Sequence, residues 1–154
     1  MKKLYTLVLL HEPTRILLGM KKRGFGVGKW NGFGGKVIEG ESIEDGARRE
    51  MREESGVELL DLEKVGINIF EFEGNPDSLE VHTFRARSFA GEIVETEEMR
   101  PQWFPIDEIP YGEMWIDDAH WFPLFFAGKK FKGEFFFKDA DTIQKKNVIE
   151  VESL

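Results

Sequence analysis

Residues 35–57 read GKVIEGESIEDGARREMREESGV, and this stretch decides how the rest of the chain is understood. Ser42, with Asp45 three residues on, has the form of a capping box, and Gly56 is a natural stop, so a helix is predicted over Glu41–Ser55. With Glu50 placed at zero on a helical wheel, Glu53 falls at about −60° and Glu54 at about +40°. Ile43, Ala47 and Met51 fall at about 20°, 60° and 100° on the same wheel. Three carboxylates therefore share an arc with the apolar stripe, while Asp45, Arg48 and Arg52 take the solvated side. Partly buried like charges one turn apart repel strongly unless a cation lies between them. The chain has no cysteine and no histidine nearby, so the donor set is oxygen only, which points to a hard cation such as Mg²⁺ or Mn²⁺. Arg49, one turn before Glu53, is placed to hold it through an i,i+4 pair.

A run of charge usually marks nothing more than a solvated helix face. Two features weigh against that here: the overlap with the apolar stripe, and the segment that feeds the helix. Between Lys22 and Gly40, glycine stands at 24, 26, 28, 32, 34, 35 and 40, too often for a helix or an interior strand. A long structured loop is predicted, and such loops usually carry function. Glycine lets backbone approach a ligand closely, and the N–H groups of such a loop suit phosphate oxygens.

Length and composition are those of one globular domain, here residues 1–154, with 41% hydrophobic and 32% charged residues. The formal charge of −8 opposes binding to a nucleic-acid polymer but permits a small phosphorylated ligand if a cation mediates. Lys2-Lys3 before an apolar run imitates a secretory leader. That run is short, contains Thr6 and is followed by His11-Glu12-Pro13, so no leader is expected. No apolar stretch approaches the ~20 residues of a membrane span. A soluble intracellular monomer is expected, since no apolar helix stripe is left over for a partner.

Around the helix, Tyr5–Leu10 and Arg15–Lys21 read as a hairpin, and Leu79–Phe89 as a strand after the turn Gly74-Asn75-Pro76-Asp77. Val65, Ile67 and Ile69 alternate with Gly66, Asn68 and Phe70, which predicts a strand whose buried face carries the β-branched set. Trp103-Phe104 reads as a short strand. Asp117–Phe126 reads as a second helix capped by Asp117 or Asp118, with Pro123 in its first turns or kinking it. Phe131–Lys138 and Asn147–Val151 read either as last strands or as an appended helix. The fold class is α+β, a mixed sheet layered between helices.

Gly35, Glu41, Arg49, Glu50, Met51, Glu53, Glu54, Gly56 and Val57 resemble, at every fixed position, the Nudix box of the nucleoside-diphosphate-linked-X hydrolases. Further stretches (LYTLVLL, LLGMKKRGFG, WNGFGGK, EMRP and the Trp115–Asp118 element) are similar to the branch of that family acting on oxidised purine nucleoside triphosphates. Two positions depart from that branch: Ile116 stands where proline is usual, and Leu79 where methionine walls the base pocket. The resemblance implies a Nudix fold, an α/β/α sandwich around a mixed sheet. It also implies cleavage of a nucleoside triphosphate to monophosphate and pyrophosphate with Mg²⁺, in the cytosol with nuclear and mitochondrial pools. It makes Glu50, Glu53, Glu54, the Gly35 carbonyl and Glu98 metal ligands, with Arg49 supporting them and Glu53 or Glu98 as the base. Lys21 and Lys36 would balance phosphate charge beside Phe33, Gly34 and Gly35.

Asn31, which carries both donor and acceptor, and the adjacent Asp117 and Asp118 would read the base. If both aspartates point at one base edge, burial and repulsion raise the pKa of one and make it a donor. Thr6, Phe25, Phe70, Leu79, Trp115 and Ile116 complete the expected pocket, although any of these aromatics taken singly is more often core. Trp121, Phe122, Phe125 and Phe126 are assigned to the core, and His82 and His120 get no catalytic role. Two alternatives stay open. One is a Nudix hydrolase of another substrate such as ADP-ribose, a dinucleoside polyphosphate or an RNA cap; the other is a non-catalytic nucleotide-binding module.

Overall fold

In the computed structural model, which describes residues 1–154, ten strands and two helices follow in the order β1 (Lys2–His11), β2 (Arg15–Lys21), β3 (Trp30–Asn31), α1 (Ile43–Ser55), β4 (Glu58–Leu59), β5 (Glu63–Phe72), β6 (Ser78–Ala86), β7 (Phe89–Ala90), β8 (Met99–Pro105), α2 (Asp118–Phe126), β9 (Lys130–Asp139) and β10 (Thr142–Val151). Eight strands form one mixed sheet in the order β10-β9-β5-β6-β1-β2-β3, with β8 also pairing β2. The pairs β1/β6 and β5/β9 are parallel, and the remaining pairs are antiparallel. Strands β4 and β7 make a separate two-stranded ribbon.

Each face of the sheet has its own core. Under α1, Ala47 and Met51 pack on Val8, Leu10, Leu17, Phe33 and Phe84. Under α2, Trp121, Phe122 and Phe125 pack on Leu9, Leu18, Phe131, Phe135 and Phe137. Each such leucine, valine, methionine or phenylalanine, fully withdrawn from water, contributes roughly 1.5–3 kcal/mol. Strand β1 is shared between the two: Val8 and Leu10 belong to the α1 core, Leu7 and Leu9 to the α2 side.

Helix α1 begins as its sequence dictates. Ser42 is extended, its hydroxyl accepts from the Asp45 N–H at 3.1 Å, and Gly56 ends the helix at φ 84°. The glycine-rich segment lies along the edge of β1 as an irregular strand, with Phe33 and Lys36 bridging Val8 and Tyr5. The N–H groups of Thr6 and Val8 donate to the carbonyls of Gly35 at 2.9 Å and Phe33 at 2.6 Å. That close approach requires glycine: a Cβ on Gly34 would sit 1.8 Å from the Thr6 carbonyl oxygen.

Two expectations need correction. In β5, Asn68 is buried while Ile67 and Ile69 are only half-buried. A register shift between Lys64 and Gly66 inserts an extra residue, so Val65 falls in phase with the α2 face and the isoleucines turn to the other. Neither aspartate caps α2: Asp117 occupies the N-cap position but makes no capping hydrogen bond. Of the two readings open for the C-terminal segments, the structure takes the strands, and the strand at Trp103-Phe104 extends to the seven residues of β8.

Candidate active site

The arc of α1 that carries the glutamates is graded in burial. Glu54 is 4% exposed, and its Oε1 accepts from the Gly34 N–H at 2.8 Å. Burial pushes its carboxyl up to about 8, partly offset by that N–H. Glu50 is pressed against the loop, for a Cβ on Gly35 would fall 2.7 Å from its Oε1, and burial raises its pKa too. Glu53 is the most exposed of the three, at 56% of its side chain.

Arg49 organises this group. Its Nη1 donates to Glu50 Oε1 at 3.0 Å and to Glu53 Oε2 at 3.1 Å, and its Nε and Nη2 grip Glu41 at 3.0 and 2.8 Å. Nη2 also donates to the Lys36 carbonyl at 3.2 Å, which ties the helix to the loop. The fork geometry of a guanidinium permits this span. The pair with Arg49 holds the Glu41 carboxyl down to about 2. Across the site, Glu98 accepts from Lys21 Nζ at 3.2 Å and from Arg23 Nε at 2.8 Å, and these cations depress its pKa. No three acidic or imidazole side chains converge on one point. Like charges are held apart by Arg49 on one side and by Lys21 and Arg23 on the other.

On the α2 face a cavity of about 260 Å³ opens. Thr6, Lys21, Phe25, Asn31, Gly34, Gly35, Glu54, Phe70, Leu79, Trp115, Asp117 and Asp118 line it, so expected base-pocket residues and expected phosphate-site residues share one space. Glu50, Glu53 and Glu98 stand outside its lining, as do Phe33, Lys36 and Ile116. Phe33 turns its ring into the α1 core, Lys36 is exposed, and Ile116 packs against the α2 core. Trp115 and Phe25 stack with ring centroids 5.1 Å apart, and Lys29 Nζ lies 5.2 Å from the indole centroid.

Asp117 and Asp118 are both buried. Asp117 Oδ2 accepts from Trp121 Nε1 at 2.9 Å, whereas Asp118 Oδ2 has no partner. Burial pushes Asp117 up to about 6 and Asp118 well above the usual carboxylate range, with the charge of Asp117 adding to the latter. Reasoning from the sequence assigned Trp121 to the core alone and passed over Tyr5, Leu7, Asn68, Phe72 and Val81, which also line the cavity. Their alternation along strands was the available signal.

A buried carboxylate helix against a glycine loop, adjoining an apolar cavity with paired aspartates, is the setting in which the sequence comparison acquires meaning. A profile of the Nudix domain matches residues 1–125. The chain belongs to the Nudix family. It is 58% identical over 151 residues to the oxidized purine nucleoside triphosphate hydrolase of Mus musculus, covering 98% of this chain and 97% of that one. It is 56% identical over 152 residues to the protein of the same name from Danio rerio, covering 99% and 97%. Among solved structures, the MutT protein from Bacillus halodurans superposes with a TM-score of 0.84 at 25% identity, over 95% of this chain and 97% of that one.

Nudix hydrolases generally use divalent metal ions, and the residues present fit one. The donors are all oxygens, Glu54 is buried with a single N–H partner, and the Cα of Gly35 packs against the Glu50 carboxylate. A buried carboxylate that only a proton or a cation can neutralise is a natural ligand. No helix of this Nudix protein is long and apolar enough to cross a membrane.

Proposed function

We propose that this Nudix protein hydrolyses oxidised purine nucleoside triphosphates to the monophosphate and pyrophosphate, with Mg²⁺ as resident cation and Mn²⁺ as an acceptable substitute. Its substrates in this reading include 8-oxo-dGTP, 2-hydroxy-dATP and methylated purine deoxynucleotides, and it acts as a monomer. The observation that carries the reading is the buried Asp117–Asp118 pair in a cavity that runs on to Gly34, Gly35 and Glu54. The names of the mouse and zebrafish relatives point the same way.

Asp118, whose carboxyl is pushed well above the usual range by burial and by the charge of Asp117, donates its O–H to the base, while Asp117, held by Trp121, accepts. The pair shares its proton, so it can present donor and acceptor in either order. That exchange suits both a keto-type oxidised guanine and a hydroxylated or methylated adenine. Asn31 reads a further edge, and Phe25, Phe70, Leu79 and Trp115 enclose the ring. Glu50, Glu53 and Glu54 with the Gly35 carbonyl would hold the cation, and Glu98 faces them. When bound, the cation neutralises charge on the phosphates and lowers the pKa of water. The proton of the attacking water would pass to Glu53, which Arg49 holds, or to Glu98, which Lys21 and Arg23 hold. Lys21 balances phosphate charge at the mouth of the cavity.

The test is kcat/KM for 8-oxo-dGTP, dGTP, 2-hydroxy-dATP and ADP-ribose, with Mg²⁺ and with EDTA. Metal-dependent turnover with strong preference for the modified purines supports the reading. Preference for ADP-ribose, or equal use of dGTP and 8-oxo-dGTP, removes the base-pocket assignment and leaves the Nudix chemistry standing.

A further inference from the structure

Asn68 sits in the middle of β5 on the face turned to α2 and is 1% exposed. Its neighbours in register are Val81 on β6 and Gly133 on β9. The amide oxygen Oδ1 is buried and has no hydrogen-bond partner. Gly133 makes room for it, since a Cβ at that position would lie 2.2 Å from Oδ1. An unpaired buried carbonyl destabilises the fold, and a leucine of similar volume would avoid that cost. Four buried side-chain atoms lack partners: Asn68 Oδ1, His82 Nδ1, Thr83 Oγ1 and Asp118 Oδ2. Only Asn68 and Asp118 belong to residues that line the cavity, and Asp118 already has a role there.

We propose that Asn68 is a further base-contacting residue, whose carboxamide pairs with the adjacent N–H and C=O that oxidation creates on a purine. This inference rests on the function proposed above. Oxidation at C8 turns N7 from an acceptor into an N–H donor and places a carbonyl oxygen beside it. A carboxamide offers the complementary acceptor and donor, so the two groups close a pair of hydrogen bonds. Unoxidised guanine presents a lone pair and a C–H at the same edge and leaves Oδ1 unpaired. A site whose buried polar group goes unpaired with the wrong ligand discriminates far more strongly than an apolar wall.

The experiment is calorimetric binding of 8-oxo-dGMP and dGMP in EDTA, with thermal midpoints, for the parent protein, Asn68→Leu and Thr83→Val. Asn68→Leu is expected to lose about tenfold of the preference for 8-oxo-dGMP over dGMP and to melt at a higher temperature. Thr83→Val removes an unpaired hydroxyl outside the cavity, and should raise the midpoint with the preference intact. If Asn68→Leu disturbs the fold by circular dichroism, Asn68→Ala removes the carboxamide without adding bulk and is expected to lose the same preference. A preference in Asn68→Leu equal to the parent's overturns the inference alone. A parent that binds both nucleotides equally, or neither, overturns the base-pocket reading and this inference with it.

Discussion

The indole Nε1–H of Trp121 donates to Asp117 Oδ2 at 2.9 Å, one helical turn away, and so favours Asp117 over Asp118 as the ionised member of the aspartate pair. Trp121→Phe keeps the ring in the core and removes the donor. Leaving a buried acceptor unpaired should cost about 1–3 kcal/mol by chemical denaturation. It should also lower kcat/KM for 8-oxo-dGTP about tenfold, mostly through KM, because Asp117 then competes with Asp118 for the proton.

The same pair sets a pH dependence of stability. Burial raises both carboxyls above the ordinary 3.8 in the folded chain, Asp117 to about 6 and Asp118 well above its usual value. Between those values the folded state binds protons that the unfolded chain has released, so their contribution is complete below about pH 4 and is lost as pH rises through the folded values. Asp118→Asn carries no charge at any pH. Relative to the parent, it should therefore gain stability steadily from pH 4 to pH 8 in urea titrations; a constant difference across that range would show that Asp118 titrates normally.

Glu54→Gln preserves an acceptor for the Gly34 N–H while removing the buried charge. Turnover with Mg²⁺ should fall at least 100-fold, and binding of 8-oxo-dGMP in EDTA should stay within about threefold of the parent. Equal behaviour of the two proteins, binding without turnover, would mark a nucleotide-binding module.

Gly34→Ala tests the edge of β1 directly. A methyl group 1.8 Å from the Thr6 carbonyl cannot be accommodated without breaking the bridge between loop and strand. A loss of about 3 kcal/mol is expected in equilibrium unfolding, with turnover falling in parallel because Glu54 loses its partner.

Helix α1 and its glutamates were legible in the sequence because cap, stop and periodicity all agreed within about fifteen residues. The β1–β2 hairpin was legible for the same reason. What lay hidden depended on contacts distant in sequence or on phase. The grip of Arg49 on Glu41 spans eight positions and follows from how the loop folds back, which no helical wheel contains. A bulge after Lys64 reversed the faces of β5, so Asn68, which in a strand reads as solvent-facing, went inside. Phe135-Phe136-Phe137 satisfies strand and helix equally until β5 offers it a parallel neighbour. Asp117 and Asp118 were found through their pattern, but their protonation depends on burial that only the packed cavity supplies.

Strand β1 turns Val8 and Leu10 toward the helix of glutamates and Leu7 toward the cavity, while its edge is stitched to Gly35. The carboxylate helix and the aspartate pair thus back onto one strand and meet in one cavity, with Gly34, Gly35 and Glu54 at one end and Asp117 and Asp118 in the wall. In the proposed reading, substitutions around the aspartates would change which base is admitted while Glu54 and its loop stay as they are. Such a layout would let a lineage exchange one cargo for another while the cutting tool stays the same, and it tells an engineer which end of the cavity to randomise.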